Sequence, residues 1–195
     1  MATITEAEVY DKFAAIVSRS LRVDPARVTR DAHLMQDLGA ESLDLIEITM
    51  QAESELNVWM PEKSILDTAT EVFGPGVLEQ DGYLTETGKR LLRCRLPQAA
   101  NLFAGPTAVK DVQSSFLTVG SWVALLYHLG QHTPSSCGEC ASALVAEPDF
   151  HMKCPNCGIQ VPLRSGEDLN REWVREFSGK EYRAGAGITT TAVPD

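Results

Sequence analysis

The sequence predicts a mainly α-helical protein that carries a small β module near its C-terminus. Apolar residues recur at three- and four-residue steps in two segments of the N-terminal third, as on one face of a helix. Residues 116–129 form a later apolar run, which is a third candidate helix. Four of the five cysteines form two Cys-x-x-Cys pairs, a pattern that indicates a metal-binding module.

The composition is that of an acidic globular protein. The chain has 195 residues, a length that allows one ordinary domain and a small module. Its formal net charge is −10 and its pI is near 4.9. The acidic balance argues against nucleic-acid binding, which needs lysine and arginine, and favours partners with basic surfaces. No apolar run approaches the roughly 18 residues of a membrane span, and the first residues carry no signal-type pattern, so we expect a cytoplasmic protein.

The first predicted helix begins at a capping box. Thr5 can accept a hydrogen bond from the backbone amide of Glu8, and the Glu8 carboxylate can reach back to Thr5. The apolar face that follows consists of Val9, Phe13, Ile16, Val17 and Leu21. Asp24-Pro25 then predicts the end of this helix.

Ser42 lies between a glycine-containing turn and a second amphipathic helix. Gly39 gives the backbone freedom for the turn, and serine suits an N-cap or first-turn position, so Ser42 should be exposed. The predicted buried face consists of Leu45, Ile48, Ala52 and Leu56. The opposite face carries Asp44, Glu47, Glu53 and Glu55. On position alone, such a serine is most often only a helix cap.

The residues around Ser42 resemble the phosphopantetheine attachment site of acyl carrier proteins. Residues 37–44 read Asp-Leu-Gly-Ala-Glu-Ser-Leu-Asp, and the family usually has Asp-Ser-Leu where this chain has Glu41-Ser42-Leu43, a change that keeps the charge. Residues 27–37 resemble the long first loop of the family, where we expect His33 to be a surface side chain without a chemical role. The Phe-x-Thr-Val-Gly sequence at residues 116–120 resembles the start of the last family helix.

This resemblance implies a four-helix acyl-carrier bundle over residues 1–131, interrupted by a helical insertion at about residues 58–113. Residues 65–73 come at the usual distance for the last helix but are short and run into Gly-Pro-Gly, so the later stretch is favoured. Within the insertion, residues 83–96 predict a helix capped at Thr85. Its leucines Leu91, Leu92 and Leu96 should face inward, and its basic residues, among them Lys89, should form a solvated face.

The resemblance implies a carrier rather than an enzyme, so no catalytic residue is expected. A phosphopantetheinyl transferase would attach 4′-phosphopantetheine to Ser42, and the arm would hold acyl groups as thioesters. The other expected partners are acyl-loading and acyl-transferring enzymes of fatty-acid, polyketide or related biosynthesis, with basic docking surfaces. The residues expected to be recognised are Asp37, Glu41, Leu43, Asp44 and Glu47. For each acid a solvated helix face is the alternative. Leu43 and Ile46 could line a pocket for the arm or the acyl chain, although such residues more often belong to the core.

The two cysteine pairs, separated by thirteen residues, are Cys137 with Cys140 and Cys154 with Cys157. Two such turns can bring four thiolates to one tetrahedral zinc ion, and the pattern resembles a zinc ribbon, here residues 134–166. The zinc should be structural, because four cysteines leave no open position for water. The alternatives are a redox dithiol and a mixed site that includes a nearby histidine. Those histidines are His128, His132 and His151.

The last segment, residues 167–195, is predicted to be a partly disordered tail. Residues 168–177 could form a short helix with Leu169, Trp173 and Phe177 on one side, and residues 184–195 should be disordered. Two alternatives to an acyl carrier remain open. One is a peptidyl or aminoacyl carrier, which more often has Gly-Gly-x-Ser at this site; the other is a zinc-containing scaffold whose carrier fold is never modified.

Overall fold

The computed structural model describes residues 5–95, 103–131, 136–146, 152–161 and 165–183. These residues form seven α-helices and two small antiparallel sheets, which confirms the mainly helical fold class. The helices are α1 (Glu6–Leu21), α2 (Ser42–Leu56), α3 (Ile65–Phe73), α4 (Glu86–Arg95), α5 (Val109–Ser115), α6 (Val119–Gln131) and α7 (Gly166–Arg183). The strands are β1 (Glu79–Gln80), β2 (Tyr83–Leu84), β3 (Val145–Ala146), β4 (Met152–Lys153) and β5 (Gln160–Val161). None of the described helices is long and apolar enough to span a membrane.

The chain divides into two compact units, and each is assembled from two separate segments. The first unit comprises Met1–Met60 and Leu117–Gly166, and the second comprises Pro61–Phe116 and Glu167–Asp195. In the described residues, the first unit therefore contains α1, α2, α6 and the β3-β4-β5 sheet. The sequence predicted four helices for the carrier bundle; the described residues of this unit contain three, α1, α2 and α6. The second unit contains α3, the β1-β2 hairpin, α4, α5 and α7.

The core of the first unit lies where α1 packs against both α2 and α6. The predicted capping box is present at the start of α1, with Thr5 N donating to Glu8 Oε2 at 2.8 Å and Glu8 N donating to Thr5 Oγ1 at 3.3 Å. Phe13 is fully buried and stacks on Trp122 of α6 with 5.5 Å between ring centroids. Ile48, Ala52 and Leu56 form the buried face of α2, as predicted from their spacing, while Leu45 is half-buried.

The loop between α1 and α2 is fixed to the start of α6. Leu34 N donates to Leu117 O at 2.9 Å, and Gly120 N donates to Arg30 O at 2.7 Å. A Cβ at position 120 would lie 2.9 Å from Arg30 O, so glycine permits this close approach. The Thr-Val-Gly sequence therefore holds the loop that leads to Ser42.

The second unit has its own apolar core, to which the predicted tail contributes. Phe177 of α7 lies edge-on to Phe73 of α3 at 6.2 Å and stacks on Trp173 at 6.1 Å. Val174 of α7 is fully buried in the same cluster. The helix predicted at residues 168–177 is therefore present but longer, and its apolar side completes a core. Residues 184–195, predicted to be disordered, lie outside the described residues.

Helix α4 begins at the predicted cap. Gly88 N donates to Thr85 Oγ1 at 3.1 Å, and Leu91 and Leu92 are fully buried, while residue 96 lies outside the described residues. The expectation of a solvated basic face is wrong for Lys89, which is buried and donates to Glu86 Oε1 at 2.8 Å. This hydrogen bond lowers the pKa of Glu86. The long aliphatic stem of Lys89 allows it to pack on the core while its ammonium group stays paired.

We expect Gly88→Ala to destabilise the second unit. A Cβ at this position would lie 2.2 Å from the backbone oxygen of Leu78, and the backbone shift needed to relieve the clash should cost about 1–3 kcal/mol, more than the gain of about 1 kcal/mol from alanine in a helix. Denaturant unfolding checks this. Gly105→Ala is the matched control, because its Cβ would meet nothing within 4 Å. Equal unfolding midpoints for the two variants would contradict the packing.

Candidate functional site

Ser42 is the first residue of α2 and is exposed. The N-cap position belongs to Glu41, whose backbone is extended, with φ −95°. Glu41 N donates to Asp44 Oδ2 at 2.7 Å, so the helix start is stabilised by a carboxylate one turn further on. Ser42 therefore does not occupy the cap position, and its hydroxyl lies on the surface in the first turn.

The turn that precedes Ser42 contains a buried histidine. His33 is only 9% exposed, so the expectation of a surface side chain is wrong. Its Nδ1 accepts hydrogen bonds from the backbone amides of Met35 and Gln36 at 3.2 and 3.1 Å. This role of His33 could not be recognised from the sequence, because the residues that usually accept such hydrogen bonds in turns are Ser, Asp and Asn.

The acids predicted for partner recognition also make hydrogen bonds within the chain. Besides Asp44, Asp37 Oδ2 accepts from His33 N at 2.8 Å, and Glu47 Oε1 accepts from Gln51 Nε2 at 2.8 Å. Asp37 and Glu47 remain exposed and Asp44 is half-buried. These carboxylates thus shape the local structure and also place negative charge around Ser42.

An apolar stripe on α2 faces solvent beside these acids. Leu43, Ile46 and Met50 are 77%, 57% and 64% exposed. Their spacing places them on one face of the helix, and a contiguous exposed apolar patch of this kind indicates an interaction surface. Ile46 is therefore not a core residue. Met50 was not singled out from the sequence, although its spacing from Leu43 and Ile46 could have revealed it.

Comparison with known proteins places this site in a family. Residues 11–70 match the family model described as a phosphopantetheine attachment site. The acyl carrier protein of Guillardia theta is 41% identical over 59 residues, which are 30% of this chain and 73% of that relative. The chain belongs to the acyl carrier protein family. The acyl carrier protein of Thermotoga maritima is 40% identical over 63 residues, 32% of this chain and 78% of that protein. No solved structure matches the chain significantly.

The family assignment confirms a phosphopantetheine carrier domain, and the family is one of carriers rather than enzymes. The match begins within α1, includes the following loop and α2, and ends within α3. Helix α6, the cysteine module and α7 therefore lie outside the region that the family model matches.

The four cysteines of the predicted ribbon come together in one cluster. Their sulfur atoms all lie within 4.8 Å of one another, with 3.4 Å between Cys140 and Cys154 and 3.7 Å between Cys137 and Cys157. Zinc–thiolate bonds of about 2.3 Å give tetrahedral sulfur–sulfur separations of about 3.8 Å. The cluster thus has the size of a tetrahedral metal site.

The two cysteine turns have the same backbone design. In each, the residue after the second cysteine has a left-handed conformation, with φ 55° for Ala141 and 74° for Gly158. Each turn is closed by two backbone hydrogen bonds of 2.9 Å. In the first turn Cys137 N donates to Ser142 O, and Ala141 N donates to Cys137 O. In the second turn Cys154 N donates to Ile159 O, and Gly158 N donates to Cys154 O. The repeated geometry directs four thiols to one point.

The metal-sized cluster in the described residues contains cysteines and no histidine. His128 is a half-buried residue of α6 and is not part of it. The other two histidines of the predicted mixed site, His132 and His151, lie outside the described residues. The described donors are therefore four sulfurs, the set preferred by structural zinc sites.

The surroundings of Cys140 favour its thiolate form. Hydrogen bonds from the side chain and backbone of Ser142, and then from the side chain of Asn156, lower the pKa of Cys140 to about 6. Cys140 therefore carries negative charge at neutral pH. A thiolate is the form that binds metal ions, so this sulfur is prepared to act as a ligand.

The pKa of Cys157 is shifted in the opposite direction. The backbone amide of Ile159 lowers its pKa, but hydrogen bonds with the sulfurs of Cys154, Cys137 and Cys140, together with burial, outweigh that effect and raise it to about 12. In the metal-free cluster the Cys140 thiolate thus lies beside a Cys157 thiol that keeps its proton. A bound cation would release that proton, so metal affinity should increase with pH.

We expect Ala141→Gly to strengthen the ribbon. Alanine in the left-handed region costs about 1–2 kcal/mol, whereas glycine adopts it freely, at some cost in unfolded-state entropy. The metal-bound module should therefore gain up to about 1 kcal/mol, measured as resistance to a competing chelator. The reverse change in the other turn, Gly158→Ala, should weaken it. A weaker metal site in Ala141→Gly, or an unchanged or stronger one in Gly158→Ala, would contradict the left-handed geometry.

Proposed function

We propose that this chain is an acyl carrier protein that takes up 4′-phosphopantetheine on Ser42 and holds acyl intermediates on it. The proposal extends to presentation of these intermediates to enzymes of fatty-acid, polyketide or related biosynthesis. The observation that carries it is the exposed Ser42 hydroxyl at the first turn of α2, within residues 11–70 that match the attachment-site family. The acyl carrier proteins among its relatives favour acyl over aminoacyl cargo.

The chemistry required of the chain itself is limited. Ser42 Oγ would attack the pantetheine-bearing phosphorus of coenzyme A, forming a phosphodiester as the phosphoanhydride bond breaks and adenosine 3′,5′-bisphosphate leaves. The serine proton would pass to a base of the phosphopantetheinyl transferase. Once attached, the arm supplies a terminal thiol that forms thioesters. The task of this chain is to present Ser42 in a fixed place and to be recognised.

Recognition is proposed to combine charge with apolar contact. Asp37, Glu41, Asp44 and Glu47 all lie within five residues of Ser42 in the sequence, and their negative charge would steer partners with basic docking surfaces. Leu43 supplies the most exposed apolar side chain next to the serine, at 77%. A basic surface with an apolar centre would match this arrangement on both the transferase and the acyl-transferring enzymes.

We expect Leu43→Ala to slow modification by the transferase without unfolding the protein. The side chain is mostly exposed, so stability should change by no more than about 0.5 kcal/mol, while loss of an interface anchor costs about 1–2 kcal/mol, or roughly 5- to 30-fold in kcat/KM. Initial rates at varied carrier concentration measure this. Val145→Ala, 53% exposed on the ribbon, is the control. Equal rates for Leu43→Ala and the control would remove Leu43 from the docking surface.

The four cysteines are proposed to hold one structural zinc ion. Cys137, Cys140, Cys154 and Cys157 would be its ligands, and their spacing fits a tetrahedral thiolate shell. Four thiolates fill such a shell, so the ion would hold the ribbon together rather than activate water. Metal analysis of protein purified without added zinc should find about one zinc per chain.

The proposed carrier function is tested by intact-mass measurement. The protein is incubated with a broad-specificity phosphopantetheinyl transferase and coenzyme A, beside a known carrier protein. We expect the mass of one phosphopantetheine to be added. An unmodified chain beside a fully modified control would leave an unmodified zinc-containing scaffold as the better explanation. Loading by acyl-activating rather than amino-acid-activating enzymes then separates an acyl from a peptidyl carrier.

A further inference from the structure

We infer that His33 is a positioning residue for the modification of Ser42. Its imidazole holds the turn of residues 33–40, and this turn determines where the transferase finds the serine. The inference rests on the proposed attachment of phosphopantetheine to Ser42. The sequence did not indicate this role for His33. The side chain takes no part in the chemistry of the transfer and acts only by positioning Ser42.

The imidazole acts as the cap of the turn. Its Nδ1 lies 3.2 Å from Met35 N and 3.1 Å from Gln36 N, and both amides donate to it. Acceptance of amides two and three residues ahead is the geometry by which Ser, Asp or Asn side chains cap helices and turns. The ring nitrogen replaces a side-chain oxygen in this arrangement.

The backbone of His33 closes the same turn from the other side. His33 N donates to Asp37 Oδ2 at 2.8 Å, and His33 O accepts from Asp37 N at 2.9 Å and from Leu38 N at 3.2 Å. The Asp37 carboxylate therefore holds the His33 amide, while the His33 carbonyl holds the amides of Asp37 and Leu38. Removal of the imidazole would leave these bonds in place and would release the amides of Met35 and Gln36, which loosens the first half of the turn.

The turn is connected rigidly to the serine. Leu38 and Ala40 are buried at 5% and 4% exposure, and Ala40 N donates to Leu34 O at 2.9 Å. Only Glu41 separates this anchored segment from Ser42. A loosened turn would therefore displace the serine relative to the acids and apolar residues that α2 presents.

The test compares His33→Ala with His33→Asn. Alanine removes the acceptor, whereas the Asn oxygen can cap the same two amides. We expect His33→Ala to lower kcat/KM for the transferase about fivefold, the shift that the loss of one typical cap produces, and His33→Asn to restore it to within about twofold. Amide hydrogen exchange at Met35 and Gln36 should rise in the first variant and return in the second.

Tyr10→Phe is the matched control for stability. It removes a hydrogen bond of 2.7 Å to Val28 O at the other end of the same loop, so it should lower stability while leaving kcat/KM unchanged. The inference is overturned if His33→Ala is modified at the wild-type rate, or if His33→Asn is as slow as His33→Ala. If the wild-type chain takes up no phosphopantetheine, the proposed function itself fails. If the wild type is modified and the His33 variants are modified at the same rate, only the inference about His33 fails.

Discussion

Replacement of Ser42 by alanine is expected to abolish the uptake of phosphopantetheine. The serine oxygen is the atom that would form the phosphodiester, and alanine offers no substitute. Ser42 is exposed and does not occupy the N-cap position of α2, so the change should alter stability by no more than about 0.5 kcal/mol. The loss of modification would therefore not be a consequence of unfolding.

The matched control is Ser54→Ala, which changes another exposed serine on the same helix. Intact-mass measurement after prolonged incubation with the transferase should show complete modification of this control and of the wild type, and none of Ser42→Ala. An arm that is still attached to Ser42→Ala would show that the attachment site has been placed on the wrong residue.

Replacement of Cys154 by serine is expected to release the zinc and unfold the ribbon. Cys154 is fully buried, with its sulfur 3.4 Å from that of Cys140. The strands of the ribbon have two residues each, and among its described residues Leu144 and Met152 are the main buried apolar side chains besides the cysteines. So small a core does not fold alone, and structural zinc in comparable modules contributes about 10 kcal/mol or more.

Elemental analysis and amide hydrogen exchange of β3, β4 and β5 measure both effects. Ser136→Ala, an exposed change at the edge of the ribbon, should retain the metal and the protection. A metal-free wild type with protected ribbon amides would contradict the structural role. A point substitution is used because removal of the whole C-terminal segment would also remove α7, which supplies Val174 and Phe177 to the core of the second unit.

Features governed by local rules were predictable from the sequence. The capping box at Thr5 and the spacing of apolar residues on α1 and α2 reflect interactions within a few residues, and the structure contains them. The cysteine cluster was predictable for a related reason. Each Cys-x-x-Cys turn is local, and only the meeting of the two turns is a tertiary event, which the shared metal site would require.

Features that depend on distant partners were not predictable. The apolar side of α7 was recognised, but not its place in the core of the second unit beside Phe73, more than ninety residues earlier in the chain. Lys89 is buried while its ammonium group donates to Glu86, and composition does not reveal such burial. His33 is buried because the loop is fixed to the start of α6 through Leu34 and Leu117.

The central claim, that acyl groups are carried as thioesters on an arm at Ser42, is tested most directly on protein isolated from growing cells. Its intact mass should include species heavier than the phosphopantetheine form, and hydroxylamine, which cleaves thioesters, should convert them to that form. The Ser42→Ala protein should show none of these masses. A wild-type protein with only its unmodified mass, or with added masses that hydroxylamine leaves in place, would contradict the claim.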